Sequence, residues 1–134
     1  MQIAEDAVSG IPDGFVAAGF SNGGGMAEFV ATRRPVRGVL MLSGALDLAK
    51  IGVQTWPNGV PAQIHYALDD PFRSQAEIDA VTTQVKNAGA RLEIFDYPGA
   101  GHLFTDLSLP NEFDAQATEL LWSRVLPFCT SPPK

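Results

Sequence analysis

Three short segments carry residue types that together could perform nucleophilic catalysis. Gly19-Phe20-Ser21-Asn22-Gly23 sets a serine directly after the apolar stretch Phe15 to Phe20 and directly before a helical pattern. A serine on so tight a strand-to-helix turn is pushed into the open, and the glycines on either side remove side chains that would meet the adjoining strand and helix. The helix that begins there brings its positive end, and the Asn22 N–H lies where it can donate to a developing oxyanion. A serine hydroxyl alone is a poor nucleophile, so a base and a group to orient that base are required. His102 supplies the imidazole in Tyr97-Pro98-Gly99-Ala100-Gly101-His102-Leu103-Phe104, and Ala67-Leu68-Asp69-Asp70-Pro71-Phe72 supplies the carboxylate. An imidazole suits general-base work at neutral pH.

Each assignment has a competitor. A glycine-rich turn after a strand can cradle a phosphate, but the dinucleotide pattern G-x-G-x-x-G fails because Ser21 occupies its second glycine position, and no Gly-Lys-Ser/Thr is present. Asp70 is preferred as the acid because it lies just past a strand; Asp69 could cap the turn before Pro71, and Asp47 follows another strand. His65 falls inside a strand pattern, which fits a satisfied core imidazole. Phe20, Trp56, Phe72 and Phe104 could line an apolar substrate pocket, and each could equally be core.

The elements that must position these residues follow from periodicity. Phe15 to Phe20, Val36 to Ser43, Ala62 to Leu68 and Arg91 to Tyr97 read as strands, the first two with the long apolar stretches of strands covered on both faces. Helical spacing marks Gln75 to Ala88 and Glu112 to Phe128, with Gly89 stopping the first and Asn111 capping the second. A third helix is predicted over Gly23 to Thr32 and a short one over Gln2 to Val8. Strands separated by helices predict a parallel α/β sheet, in which Ser21, Asp70 and His102 all reach the carboxyl edge, where such sheets bind ligands. The turn-rich linker Ala45 to Pro61, with Trp56, is expected either to overhang the site or to cover the sheet.

Composition narrows the function classes. The 134 residues suffice for one domain, and 46% apolar with 18% charged residues is the balance of a folded rather than a disordered chain. A net charge of −6 argues against a nucleic-acid partner, the nearest basic cluster being Arg33, Arg34 and Arg37 at a helix end. Cys129 is the single cysteine, so neither an internal disulfide nor a zinc site with two histidines is expected, and it reads as a small hydrophobe. No signal-peptide pattern or membrane-spanning run is visible, so a cytoplasmic location with no membrane partner is expected.

The three motif segments, in the order Ser, acid, His, resemble the dienelactone hydrolase family of α/β hydrolases over nearly the whole chain. The resemblance implies nucleophile, acid and base at Ser21, Asp70 and His102, and hydrolysis of lactones or small carboxylic esters with no metal or organic cofactor. The family's founding enzymes carry cysteine where this chain has serine, which favours general esterase activity over dienelactone. The fold usually sets three or four strands before the elbow, and here the elbow lies about twenty residues from Met1. The expected fold is therefore a truncated α/β-hydrolase fold of about four mainly parallel strands flanked by helices, as one domain over residues 1–134. The absent strands would normally bring the second oxyanion donor, and loss of one donor costs about 10²- to 10³-fold in turnover. They would also leave Phe15 to Phe20 as an open apolar edge, from which a homo-oligomer, most simply a two-fold dimer, is expected. The alternatives are a catalytically weak remnant serving as an oligomerising or binding domain, and a fragment of a longer enzyme.

Overall fold

The computed structural model describes residues 1–133. Four strands, β1 (Phe15–Phe20), β2 (Val36–Leu42), β3 (Ala62–Ala67) and β4 (Leu92–Tyr97), form one sheet in that order, every neighbouring pair parallel. The helices are α1 (Gln2–Val8), α2 (Asn22–Arg33), α3 (Gln75–Asn87) and α4 (Ala115–Thr130), and a short 3-10 turn spans Leu48–Ile51. The predicted α/β class, strand count and parallel arrangement hold.

Alternation along β2 shows how the sheet divides the core. Val39 and Met41 pack with Ala27, Val30 and Ala31 of α2 and with Ile78, Val81 and Val85 of α3 on one face. Leu40 and Leu42 pack with Leu121, Val125 and Phe128 of α4 on the other. A strand buried on both faces must be apolar throughout, which is why β2 reads as an unbroken run.

Two sequence expectations are corrected. Helix α4 begins at Ala115 rather than Glu112, because the carboxylate of Asp114, not Asn111, caps it by accepting the Ala117 N–H at 2.9 Å. Trp56 neither overhangs the site nor lines a substrate pocket: it is 2% exposed, packs in the core, and its indole N–H donates to the Val60 carbonyl at 2.8 Å. The three arginines make no free basic patch. Arg33 pairs with Glu5, Arg34 pairs with Asp13 and donates to the carbonyls of Val8 and Ile11, and Arg37 donates to the carbonyls of Gly14 and Cys129. Arg33 and Arg34 fasten α1 and the loop after it to the end of α2, and Arg37 ties β2 to that loop and to α4. Cys129 is partly buried and burial raises its thiol pKa, in keeping with a packing role. No helix among the described residues is long and apolar enough to cross a membrane.

Candidate active site

Ser21 leaves β1 with φ 54° and ψ −122°, in the left-handed half of backbone space that serine seldom occupies. Its N–H still donates to the Leu42 carbonyl at 2.8 Å, and its carbonyl accepts the Gly24 N–H at 2.9 Å. The turn is thus held from the strand side and the helix side at once. A Cβ on Gly19 would stand 1.8 Å from the Gly23 carbonyl oxygen, so only glycine lets strand and helix approach here. Gly23 has open space around its own Cα, whereas a Cβ on Gly24 would stand 2.1 Å from the Gly44 carbonyl oxygen. The crowded glycine after the serine is therefore Gly24, not the second glycine of the motif.

Loops at the carboxyl ends of β3 and β4 bring in the other two groups. The Ser21 hydroxyl lies 2.8 Å from His102 Nε2, and His102 Nδ1 lies 2.6 Å from Asp70 Oδ2. The arrangement fixes the tautomer: Nδ1–H donates to the carboxylate, leaving Nε2 to accept the serine proton. The Asp70 side chain is fully buried, and its other oxygen accepts the Phe72 N–H at 2.7 Å, so Asp70 itself closes the turn assigned beforehand to Asp69. The Asp69 N–H donates to the Gly99 carbonyl at 2.9 Å, joining the Asp70 loop to the His102 loop, and Asp69 itself is exposed. Asp47 stands apart, accepting from Ala49 N–H and from the Gln84 amide, and those bonds hold its carboxyl below the usual range. The His102 loop is not loose despite its glycines. A Cβ on Gly101 would stand 2.3 Å from the Glu112 carbonyl oxygen, and the Glu112 carboxylate accepts the Leu103 N–H at 3.1 Å. The close approach fixes the backbone next to His102.

Ser21 and His102 face a cleft of about 230 Å³, with Asp70 buried behind His102. Its walls include Asn22, Ser43, Tyr66, Phe72 and Glu77. Asn22 opens α2, so its N–H has no intrahelical acceptor and is free to meet an oxyanion. Of the four aromatic residues expected to line a pocket, Phe72 alone lines this cleft, with its ring centroid 4.6 Å from that of His102. Phe20 is exposed in a separate depression with Leu103, Leu107 and Trp122, and Phe104 is core, 5.0 Å from Tyr97. Ser43, Tyr66 and Glu77 were missed by sequence reasoning. Ser43-Gly44 at the end of an apolar run was the one available signal; Tyr66 and Glu77 look like ordinary strand and helix residues. Among the described residues no cluster of three His, Cys, Asp or Glu side chains could hold a metal ion.

Two buried ionisable groups flank the site without joining it. His65 is fully buried, bonded through Nδ1 to the Tyr97 hydroxyl at 2.8 Å and through Nε2 to Gln63 at 2.9 Å, and burial, aided by Arg124, holds its pKa down at about 4. Burial pushes the Glu28 carboxyl up to about 8, against a 2.7 Å bond from the Leu46 N–H, with Asp47 adding to the rise. Folding thus favours the neutral form of both. Above pH 6.5 the unfolded chain has lost both protons while folded Glu28 keeps its own, so stability is expected to fall by about 2 kcal/mol between pH 6.5 and 8. Between pH 4.5 and 6.5 the unfolded state carries the His65 proton while the folded state carries that of Glu28, and the two contributions cancel. Denaturant midpoints across this range should show a plateau and then a decline, and Glu28→Gln should abolish the decline. A decline unchanged in the variant would exclude Glu28 as its source.

Residues 2–131 match the dienelactone hydrolase family. Among solved structures the chain resembles a dienelactone hydrolase-like promiscuous phosphotriesterase from metagenomic libraries at 22% identity and TM-score 0.74, covering 96% of this chain and 58% of that one. It also resembles a phospholipase/carboxylesterase from Dyadobacter fermentans, at 22% identity and TM-score 0.63, over 93% of this chain and 58% of that one. A propionate-bound thermophilic esterase from Thermogutta terrifontis is similar at 20% identity and TM-score 0.60, over 89% and 57% of the two chains. The chain therefore spans under three fifths of the length of these structures. No curated protein matches its sequence.

Proposed function

Because the chain belongs to the dienelactone hydrolase family, we propose that it is a serine hydrolase of small carboxylic esters or lactones, working through an acyl-enzyme on Ser21. The observation that carries this reading is the hydrogen-bonded relay from Ser21 through His102 to a buried Asp70. Ser21 Oγ attacks the acyl carbonyl while its proton passes to His102 Nε2, and the carboxylate of Asp70 stabilises the imidazolium. The Asn22 N–H receives the oxyanion. Collapse of the tetrahedral intermediate expels the alcohol, which takes the proton back from His102. Water, deprotonated by the same imidazole, then releases the acid. No cofactor enters this scheme.

The chain acts as a homo-oligomer in this reading. Strand β1 forms one edge of the sheet, and Ala18 and Phe20 along it are exposed, which leaves a pairing edge for a second copy. One experiment addresses activity and assembly together. A fluorophosphonate probe should label Ser21 stoichiometrically, located by peptide mass, while light scattering at micromolar concentration should give the mass of a dimer or larger. Folded protein that resists the probe would favour a non-catalytic binding domain, and a well-behaved labelled monomer would remove the oligomer alone.

A further inference from the structure

Ser43 is the lateral neighbour of Ser21. Phe20 pairs with Leu42 in the parallel ladder, and the Ser21 N–H continues the pattern by donating to the Leu42 carbonyl, so residues 21 and 43 leave the sheet side by side on strands about 4.8 Å apart. The two share a positive φ. With φ of 54° and 56° they are the only non-glycine residues at positive φ among those described. At Ser21 this backbone presents the nucleophile, and a strained residue in a cleft invites the same question of its neighbour.

Ser43 is held in that conformation by its surroundings. Its N–H donates to the His65 carbonyl at 2.8 Å, and a Cβ on the following Gly44 would stand 1.9 Å from the Ser21 carbonyl oxygen, so the turn lies hard against the backbone of the nucleophile. The residue is 5% exposed and lines the cleft. Its hydroxyl has no hydrogen-bond partner among the described residues. The unpaired side-chain atoms sealed from solvent are Glu28 Oε2 and one Arg124 guanidinium nitrogen, and the Ser43 hydroxyl is not among them. It is thus unbonded and not sealed from solvent, on a residue that lines the cleft. A hydroxyl so placed is a donor waiting for an acceptor, and the first acceptor to arrive beside Ser21 is the ester itself.

We propose that Ser43 is a substrate-binding residue whose hydroxyl donates a hydrogen bond to an oxygen of the ester held over Ser21. The inference rests on the serine hydrolase reading. It adds a contact to the bound ester beyond the N–H of Asn22, from a residue that follows β2.

Two variants separate the hydroxyl from the backbone turn. Ser43→Ala keeps a Cβ at positive φ and removes only the oxygen; Ser43→Gly removes both and suits the conformation. With 4-nitrophenyl acetate, both should lose about tenfold in kcat/KM, the size of one hydrogen bond. Both should keep the wild-type pH–rate midpoint and full fluorophosphonate labelling of Ser21, which a disturbed triad would not. Ser43→Gly should melt a few degrees above Ser43→Ala. Retention of kcat/KM within twofold in either variant overturns the proposal, as does restored activity in Ser43→Gly, which would assign the effect to the turn. A fall in both activity and melting temperature in both variants would mark Ser43 as structural and also overturn it. Wild-type protein that neither turns over the ester nor takes the probe would instead overturn the serine hydrolase reading beneath it.

Discussion

Replacing Ser21 with alanine is expected to lower kcat for a short-chain aryl ester by about 10⁶-fold while leaving the melting temperature unchanged. The loss is large because the attacking oxygen disappears, and neither His102 nor the Asn22 N–H has another nucleophile to act upon. What survives is the residual acceleration from binding and from the single oxyanion donor. Folding should be indifferent to the change. Ser21 is held by main-chain bonds to Leu42 and Gly24, and its side chain contributes one partly exposed bond to His102. Alanine keeps the same backbone demand at positive φ, so the strain of the turn is not altered. Steady-state rates on purified protein, with thermal melts alongside, provide the measurement. A folded Ser21→Ala variant within tenfold of the parent would end the assignment of Ser21 as nucleophile.

Asp70→Asn should lower kcat by about 10⁴-fold, with the geometry of the site intact. The reason lies in the two bonds the carboxylate makes. Oδ1 accepts the Phe72 N–H, which an asparagine carbonyl oxygen can continue to do, and this places the amide nitrogen where Oδ2 now faces His102 Nδ1. An amide N–H can only donate there, so the imidazole must turn its lone pair to Asp70 and carry its proton on Nε2. It then donates to Ser21 rather than accepting from it, and the base is lost without any displacement of atoms. Full burial of the Asp70 side chain leaves no room for water to take over the role. The comparison variants are Asp69→Asn and Asp47→Asn, which should keep most of the wild-type rate. If one of these were the crippled variant and Asp70→Asn were not, the acid would have been misassigned.

The legibility of the site in the sequence differs from residue to residue for physical reasons. Ser21, Asp70 and His102 could be picked out as candidates because each follows an apolar strand pattern, in a turn or loop with the residue types that such chemistry needs. The choice of Asp70 over Asp69 was harder, since adjacent residues in one turn differ only in the direction of their side chains. That direction is decided by which carboxylate closes the turn onto Phe72. Trp56, Phe20 and Phe104 illustrate the limit from the other side. An aromatic residue in a loop or at a strand end carries no mark of the face it will cover, and here burial claimed two of the three.

By itself the sequence determined the parallel α/β class, the strand positions, the strand-to-helix turn at Ser21 and the order of the three chemical groups. These are local properties, set by periodicity, by glycine at close approaches and by residue type. Tertiary structure alone decided that His102 Nε2 lies 2.8 Å from the Ser21 hydroxyl and that Glu112, ten residues beyond His102, holds the His102 loop. It also decided that Ser43 stands beside Ser21 with a similar positive φ. Distances between loops depend on how strands pair and how deeply helices pack across the whole sheet. No window of a few residues contains that information.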